Sequence, residues 1–355
     1  MLEEVLPLVY NGTMRMYRLS VSAIWILAMV LALSSCTGKK DASSSKNEKA
    51  SPKSERIIVG FSQIGAESAW RIYNTKDMQA AAQKAGIQLL YANAEQKQEK
   101  QIKDIRSFIM YQVDVIAFVP IVQDGWENVL EEARDAGIPV IVCDRKINPE
   151  YEDLYAGYVG TDSREEGRQA ARFLFRKYDG LENTINILEL RGTDGASASD
   201  GRIDGFREVL SSDPRFSIIC SESGDFMRSR GEEIARKILS GGKGFSIEGQ
   251  MIDAVFSCND GMTLGLLDVL EAQGIVTGKG SPITIVTVDA QQEAVDRLRE
   301  GRINCVVECN PEQGDVVMGL ARKLSAGEEI PKSTIVTGRV FTEYDDISSL
   351  PERKY

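Results

Sequence analysis

The sequence predicts an α/β protein of two Rossmann-like lobes, each built on a parallel sheet and joined to the other by a hinge. Three observations predict it. From Arg56 onward, short β-branched runs alternate with longer amphipathic stretches, the pattern of parallel strands with helices on both faces of the sheet. The strand-like runs are too many for one sheet of common size and divide into two sheets of about five or six strands. The joints between the halves, near 158–162 and 308–311, are short, which suits a hinge better than a floppy linker.

The segments follow in chain order. Arg15 and Arg18 precede an apolar run over 21–33 that is shorter than the roughly 20 residues of a spanning helix. The run ends in Leu33-Ser34-Ser35-Cys36, a pattern like a bacterial lipobox, in which the cysteine is lipidated and becomes the new N-terminus. Residues 1–35 are therefore expected to be a signal peptide with Cys36 as the lipidation site; an uncleaved anchor is the alternative. Two acids ahead of the basic residues are atypical, so translation starting at Met14 or Met16 also fits. Residues 36–55 are Lys/Ser-rich and almost free of apolar side chains, and read as a flexible tether.

Strands are expected at 57–61, 87–92, 114–119, 139–143 and 156–160 in the first half. In the second they are expected at 185–190, 216–220, 253–258, 283–288 and 303–309. Helical stretches between them include 68–85, 96–111, 124–136, 163–178, 228–240, 261–273 and 290–300. Gly86, Gly137 and Gly274 each stand where a helix would end in a left-handed cap before the next strand. The expected division is a first lobe of 56–160 plus 310–332 and a second of 161–309 plus 333–350.

Composition removes several functions. The chain has no histidine, which excludes Ser-His-Asp and Cys-His catalysis and His-containing zinc sites. A net charge of −11, without Lys/Arg clusters in the folded part, argues against nucleic acid. The cysteines beyond Cys36 form no C-x-x-C pair, and most sit in apolar runs, so they read as small buried hydrophobes. There is no dinucleotide glycine loop, Walker A loop or H-E-x-x-H. No catalytic residue, metal site or cofactor is expected.

Ligands of open α/β sheets bind beyond the carboxyl ends of the strands. The residues there include Glu67, Ser68, Trp70 and Arg71 after the first strand and Asp144 and Arg145 after the fourth. Later come Thr193 after 185–190, Phe226 after 216–220, Asn259 after 253–258 and Asp289 after 283–288. Carboxylates accept from hydroxyls, amides do both and guanidinium donates through a planar fork, so the set suits a polyhydroxylated ligand. Trp70 and Phe226 are candidates to cover a sugar ring. Glu67 and Arg71, four apart, are placed to pair. Each position also has a plainer reading. Asp162 or Asp260 caps a helix, Trp70 packs between lobes, and Asp144-Arg145 is a surface ion pair.

The stretches 59–71 (VGFSQIGAESAWR), 96–109, 119–130, 138–145, 189–206, 223–231 and 259–260 resemble the sugar-binding lipoproteins and periplasmic proteins of ABC importers. The resemblance is to the ribose/galactose-binding class, most of all to its galactofuranose-binding type, and it covers about 57 to 340. It implies the periplasmic binding protein type I fold, with a sugar held between two closing lobes. Glu67, Ser68, Trp70, Arg71, Asp144 and Arg145 would line the first-lobe side, and Arg202, Asn259 and Asp289 the second, with Thr193 and Phe226 as neighbours. The sequence departs from the family pattern at Ala290, where glycine is expected, at Asp194, and at Cys309-Asn310.

The expected function is that of an extracytoplasmic, lipid-anchored monomer that binds a small sugar and passes it to an ABC permease. Its place is the periplasm or cell surface, with no nucleic-acid partner. A sugar sensor that presents the bound form to a chemoreceptor or sensor kinase is an alternative on the same lobes. A LacI-type regulatory core would need a helix-turn-helix where the lipobox and tether stand. A glycoside-processing enzyme would need an activated carboxylate pair, and no such motif is visible.

Overall fold

The computed structural model describes residues 56–355. The expected signal segment 1–35, Cys36 and the tether 36–55 lie outside the described residues. The first half runs β1 (Ile58–Gln63), α1 (Ala69–Ala85), β2 (Gln88–Asn93), α2 (Gln98–Met110), β3 (Val115–Phe118), α3 (Glu127–Asp135), β4 (Val140–Cys143) and β5 (Gly157–Gly160). A 3-10 turn at Pro149–Leu154 precedes β5. The second half runs α4 (Ser163–Lys177), β6 (Ile185–Arg191), α5 (Ser197–Leu210), β7 (Phe216–Ser223) and α6 (Arg228–Leu239). It continues with a short hairpin of β8 (Ser246–Ile247) and β9 (Gln250–Met251), then β10 (Ala254–Ser257), α7 (Asp260–Ala272), β11 (Thr284–Asp289), α8 (Gln292–Arg299) and β12 (Cys305–Glu308). The chain ends in α9 (Gly314–Ser325), β13 (Ser333–Ile335) and β14 (Val340–Thr342).

Two six-stranded sheets result. The first has order β13-β5-β4-β3-β1-β2 and is parallel throughout. The second has order β14-β12-β11-β10-β6-β7 and is parallel except for the edge strand β14. The expected two-lobed α/β class is thus the observed one. Gly86, Gly137 and Gly274 adopt φ of 67°, 71° and 70°, the left-handed caps that let each helix turn directly into the next strand.

The expected boundary between 332 and 333 needs correction. β13 pairs with β5 in the first sheet, Ser333 opposite Tyr158, so the chain crosses to the second sheet only over 336–339. Three residues, two of them exposed, carry too little hydrophobic pattern to declare their sheet. Residues beyond 350 also belong to the folded body. Arg353 pairs with Glu308 at the end of β12, and the Tyr355 ring lies 5.3 Å from that of Tyr73 on α1.

Side-chain alternation along the strands builds the layers. On β3, Val115 and Ala117 face the layer of α1 and α9, while Ile116 and Phe118 face α2 and α3. The second lobe packs α4 and α5 so closely that their glycines touch backbone. A Cβ on Gly167 would collide with the Arg202 carbonyl, and one on Gly205 with the Arg164 carbonyl. That close approach fixes α5, and with it Arg202. Among the described residues no helix is long and apolar enough to cross a membrane.

Candidate ligand-binding site

The carboxyl ends of both sheets face one cavity. It is lined from the first lobe by Glu67, Ser68, Trp70, Arg71, Asp144 and Arg145, and from the second by Ala198, Arg202, Phe226, Asn259, Asp289 and Cys309. The empty space among these side chains is about 300 Å³, part of it open to solvent. Every expected ligand-site residue except Thr193 lines it. Thr193 stands back in the β6–α5 turn, where its carbonyl accepts from the Ala196 amide at 3.2 Å.

Local structure explains how the first-lobe group is set. Ser68 is the N-cap of α1, and its Oγ accepts from the Arg71 amide at 3.1 Å, which points the first helical turn at the cavity. The expected Glu67–Arg71 pair forms, Nε to Oε1 at 3.1 Å, although Glu67 lies one residue ahead of the cap. Arg71 Nη2 donates to Asp144 Oδ2 at 2.6 Å, and Arg145 Nη2 reaches Glu67 Oε1 at 3.4 Å. Asp144 and Arg145 are therefore not a surface pair; both are buried and bond to other partners. Burial alone would weaken the Arg71 charge, but the Asp144 and Glu67 carboxylates overcome it and hold the guanidinium more firmly protonated than usual. Burial and then the neighbouring Arg71 push Arg145 down to about 10, so it too stays charged at neutral pH. Burial would raise the Asp144 carboxyl, yet Arg71 and Arg145 outweigh it and hold it below the usual range.

Each aromatic holds an arginine. The Arg71 guanidinium sits 4.6 Å from the Trp70 ring centroid, and that of Arg145 sits 4.9 Å from the Phe226 centroid across the lobes. Gly192 packs on the Phe226 ring, and a Cβ there would strike it. Trp70 Nε1 donates to the Cys309 carbonyl at 2.6 Å, so the indole joins the lobes as well as lining the cavity.

On the second-lobe side, Arg202 donates through Nε to Glu166 Oε2 at 2.7 Å and through Nη1 to the Cys258 carbonyl at 2.5 Å. Its Nη2 lies 3.7 Å from Asp289 Oδ1. Asn259 is the N-cap of α7. Its Oδ1 accepts from the Met262 amide and its Nδ2 donates to the Phe226 carbonyl, which leaves one amide hydrogen for the cavity. Asp260 does not cap; it is fully buried and accepts from Thr287 Oγ1 at 2.8 Å and the Gln291 amide at 2.7 Å. Asp162 does cap α4. Burial pushes the carboxyls of Asp260 and Asp289 up, and each opposes the other's ionisation.

Asp289 and Ala290 both have positive φ, 125° and 69°. A left-handed alanine costs about 1 kcal/mol, which explains why glycine is expected at 290. Ala198 and Cys309 are lining residues that sequence reasoning missed. β12 ends at Glu308 rather than at 309, so Cys309 is the first residue past a strand end.

Three polar atoms of the cavity's charged residues have no hydrogen-bond partner within the described chain: Glu67 Oε2, Arg71 Nη1 and Arg145 Nε. They supply one acceptor and two donors where burial makes an unmade bond costly. Among the described residues, no group of three or more acidic or cysteine side chains could hold a metal.

Comparison with known proteins gives one consistent result. The profile of the periplasmic binding protein domain matches residues 59–329. The galactofuranose-binding protein of Escherichia coli (strain K12) is 35% identical over 79% of this chain and 86% of its own length. A crystal structure from Mycobacterium smegmatis in complex with β-D-fucofuranose superposes with a TM-score of 0.76 at 41% identity, over 81% of this chain and 92% of that one. The binding protein of the arabinose ABC transporter from Shewanella sp. ANA-3, bound to α- and β-L-arabinofuranose, gives 0.75 at 37% identity, over 81% and 92%.

Proposed function

This chain belongs to the periplasmic binding protein domain family, and from that premise we propose that it binds a furanose-form monosaccharide between its lobes and delivers it to an ABC permease. The broad part needs no proposal: the chain is a sugar-binding, periplasmic solute-binding protein of ABC transporters, not an enzyme. The furanose form is supported by what three relatives hold, namely galactofuranose, fucofuranose and arabinofuranose.

The observation that carries the reading is the buried charge network Glu67–Arg71–Asp144 with Arg145. Its charges are matched among themselves, yet it leaves one carboxylate oxygen and two guanidinium N–H groups unpartnered. A neutral ring carrying hydroxyls satisfies all three without bringing a new charge into a buried site. A charged ligand would unbalance it. Arg71 and Arg145 donate to hydroxyl oxygens; Glu67, Asp144 and Asp289 accept from hydroxyl hydrogens. Both lobes contribute, so the sugar binds the closed form better than the open one, and that difference drives closure.

The lipobox-like run 33–36 supports a second part of the proposal, that a lipid on Cys36 holds the protein at a bacterial membrane. Metabolic labelling with a palmitate analogue, lost in Cys36→Ser, checks it.

The deciding experiment is calorimetric titration of the full chain with galactofuranose, arabinofuranose and fucofuranose beside galactopyranose, ribose and glucose. Tight binding of a furanose, lost in Arg71→Ala, supports the proposal. Equal or better binding of a pyranose removes the furanose part.

A further inference from the structure

The lobes also touch each other directly, at residues outside the cavity lining. The Gln123 amide donates to the Gly195 carbonyl at 3.0 Å, and the Gln123 side-chain amide donates to Asp200 Oδ2 at 2.8 Å. The Lys146 amide donates to the Ser197 hydroxyl at 2.6 Å. Gln123 and Lys146 follow strands of the first sheet, in the β3–α3 and β4–β5 connections. Gly195, Ser197 and Asp200 lie in the β6–α5 turn and the first turn of α5. Neither side belongs to a crossing segment, so these bonds need not survive opening of the hinge. Flanking Arg145 and Ala198 do line the cavity, so the contact borders it without entering it.

We infer that Gln123, Asp200 and Ser197 form a latch between the lobes whose bonds need no ligand, and that this latch sets how often the chain closes with no sugar present. The inference rests on the reading that the two lobes close around a sugar. Each bond is made only in the closed form, so it lowers the free energy of that form whatever occupies the cavity. Apparent affinity scales with the fraction of molecules already closed. The latch therefore strengthens binding of every sugar by one common factor and leaves the preference among sugars to the residues that touch them. Gln123 holds the same turn through both its backbone and its side chain. The side-chain bond goes to a carboxylate, the stronger class of acceptor.

The test combines amide hydrogen exchange with titration, on the full chain and on Gln123→Ala, Asp200→Ala and the double variant. In sugar-free protein the Gln123 and Lys146 amides should exchange slowly, and faster in each variant. Affinity should fall about three- to ten-fold for every sugar of the panel by the same factor. The double variant should bind no more weakly than the worse single one, because both remove one bond. Full solvent exchange rates at both amides in the sugar-free wild type would overturn the inference. So would single-variant losses that add, or a variant that reorders the sugars. If no sugar of the panel binds, the proposed ligand class fails, while the exchange measurement still decides the latch.

Discussion

Arg71 and Asp144 lie 73 residues apart in sequence and meet at 2.6 Å, each with its side chain at most 6% exposed. The contact joins the first turn of α1 to the end of β4, and Glu67 completes it from the other side of the guanidinium. Replacing Arg71 by Ala removes the ion-pair partner of buried Asp144 and leaves Glu67 with Arg145 alone. The expected cost is about 3–5 kcal/mol, shared between folding and binding. Arg71→Lys keeps the charge but not the fork, and cannot reach both carboxylates and the ligand together. Titration should show binding lost in the Ala variant and weakened at least ten-fold in the Lys variant, with thermal unfolding shifted down in both.

Arg202 depends on a packing contact as well as on its ion pair with Glu166. In Gly167→Ala the new methyl meets the Arg202 carbonyl, which is backbone and cannot turn aside. We expect a loss of about 2 kcal/mol or more in denaturant unfolding. Sugar affinity should fall too, because α5 must shift and carries Arg202 away from Asp289. A variant with unchanged affinity would mean that α5 is not what positions the guanidinium.

Burial pushes the Asp260 carboxyl up to about 7, and Asp289 beside it also moves upward. The folded chain thus holds these protons more tightly than the unfolded chain does. The Asp260 contribution to stability is complete below the ordinary carboxylate range and is lost as pH rises through about 7, and that of Asp289 is lost in the same direction. The melting temperature should fall between about pH 5 and 8. Asp260→Asn should flatten that fall, since the amide keeps an acceptor for the Gln291 amide and has no proton to lose. A slope that survives the substitution would assign it to other groups.

Cys309 lines the cavity and is 2% exposed, and burial holds its thiol well above the ordinary range. It should react with a thiol reagent only when the lobes part. Labelling followed by peptide mass analysis should show Cys220, the half-buried cysteine, modified quickly and Cys309 slowly. Saturating sugar should slow Cys309 further and leave Cys220 unchanged. Protection of both alike would point to a global rather than a hinge opening.

The large features were legible because burial on both faces of a parallel strand demands uninterrupted β-branched runs, and 114–119, 139–143 and 283–288 have them. α5 was harder to see. Its inward-facing side mixes Ser199, Arg202 and Gly205 with Ile203, Phe206 and Leu210, so the apolar stripe is confined to its second half. β13 and β14 are three-residue edge strands and leave no periodic trace. At the site, the strand-end rule found the charged residues other than Arg202, which the family resemblance supplied, and admitted Thr193, because the rule gives proximity to the cleft but not side-chain direction. It passed over Cys309 because a cysteine in an apolar run reads as core. Counting the strand to its true end at Glu308 would have raised it as a candidate.

The three crossings have a consequence for synthesis. The first sheet receives its edge strand β13 only from residues 333–335, and one of its two helical layers receives α9 only from 314–325. When β1 to β5 have left the ribosome, one face of their sheet is covered by α1 without α9 and the β5 edge is open, and the whole second lobe must be made before either is closed. The first lobe cannot be completed before the second has been made. It stays unfinished until α9 and β13 have been made.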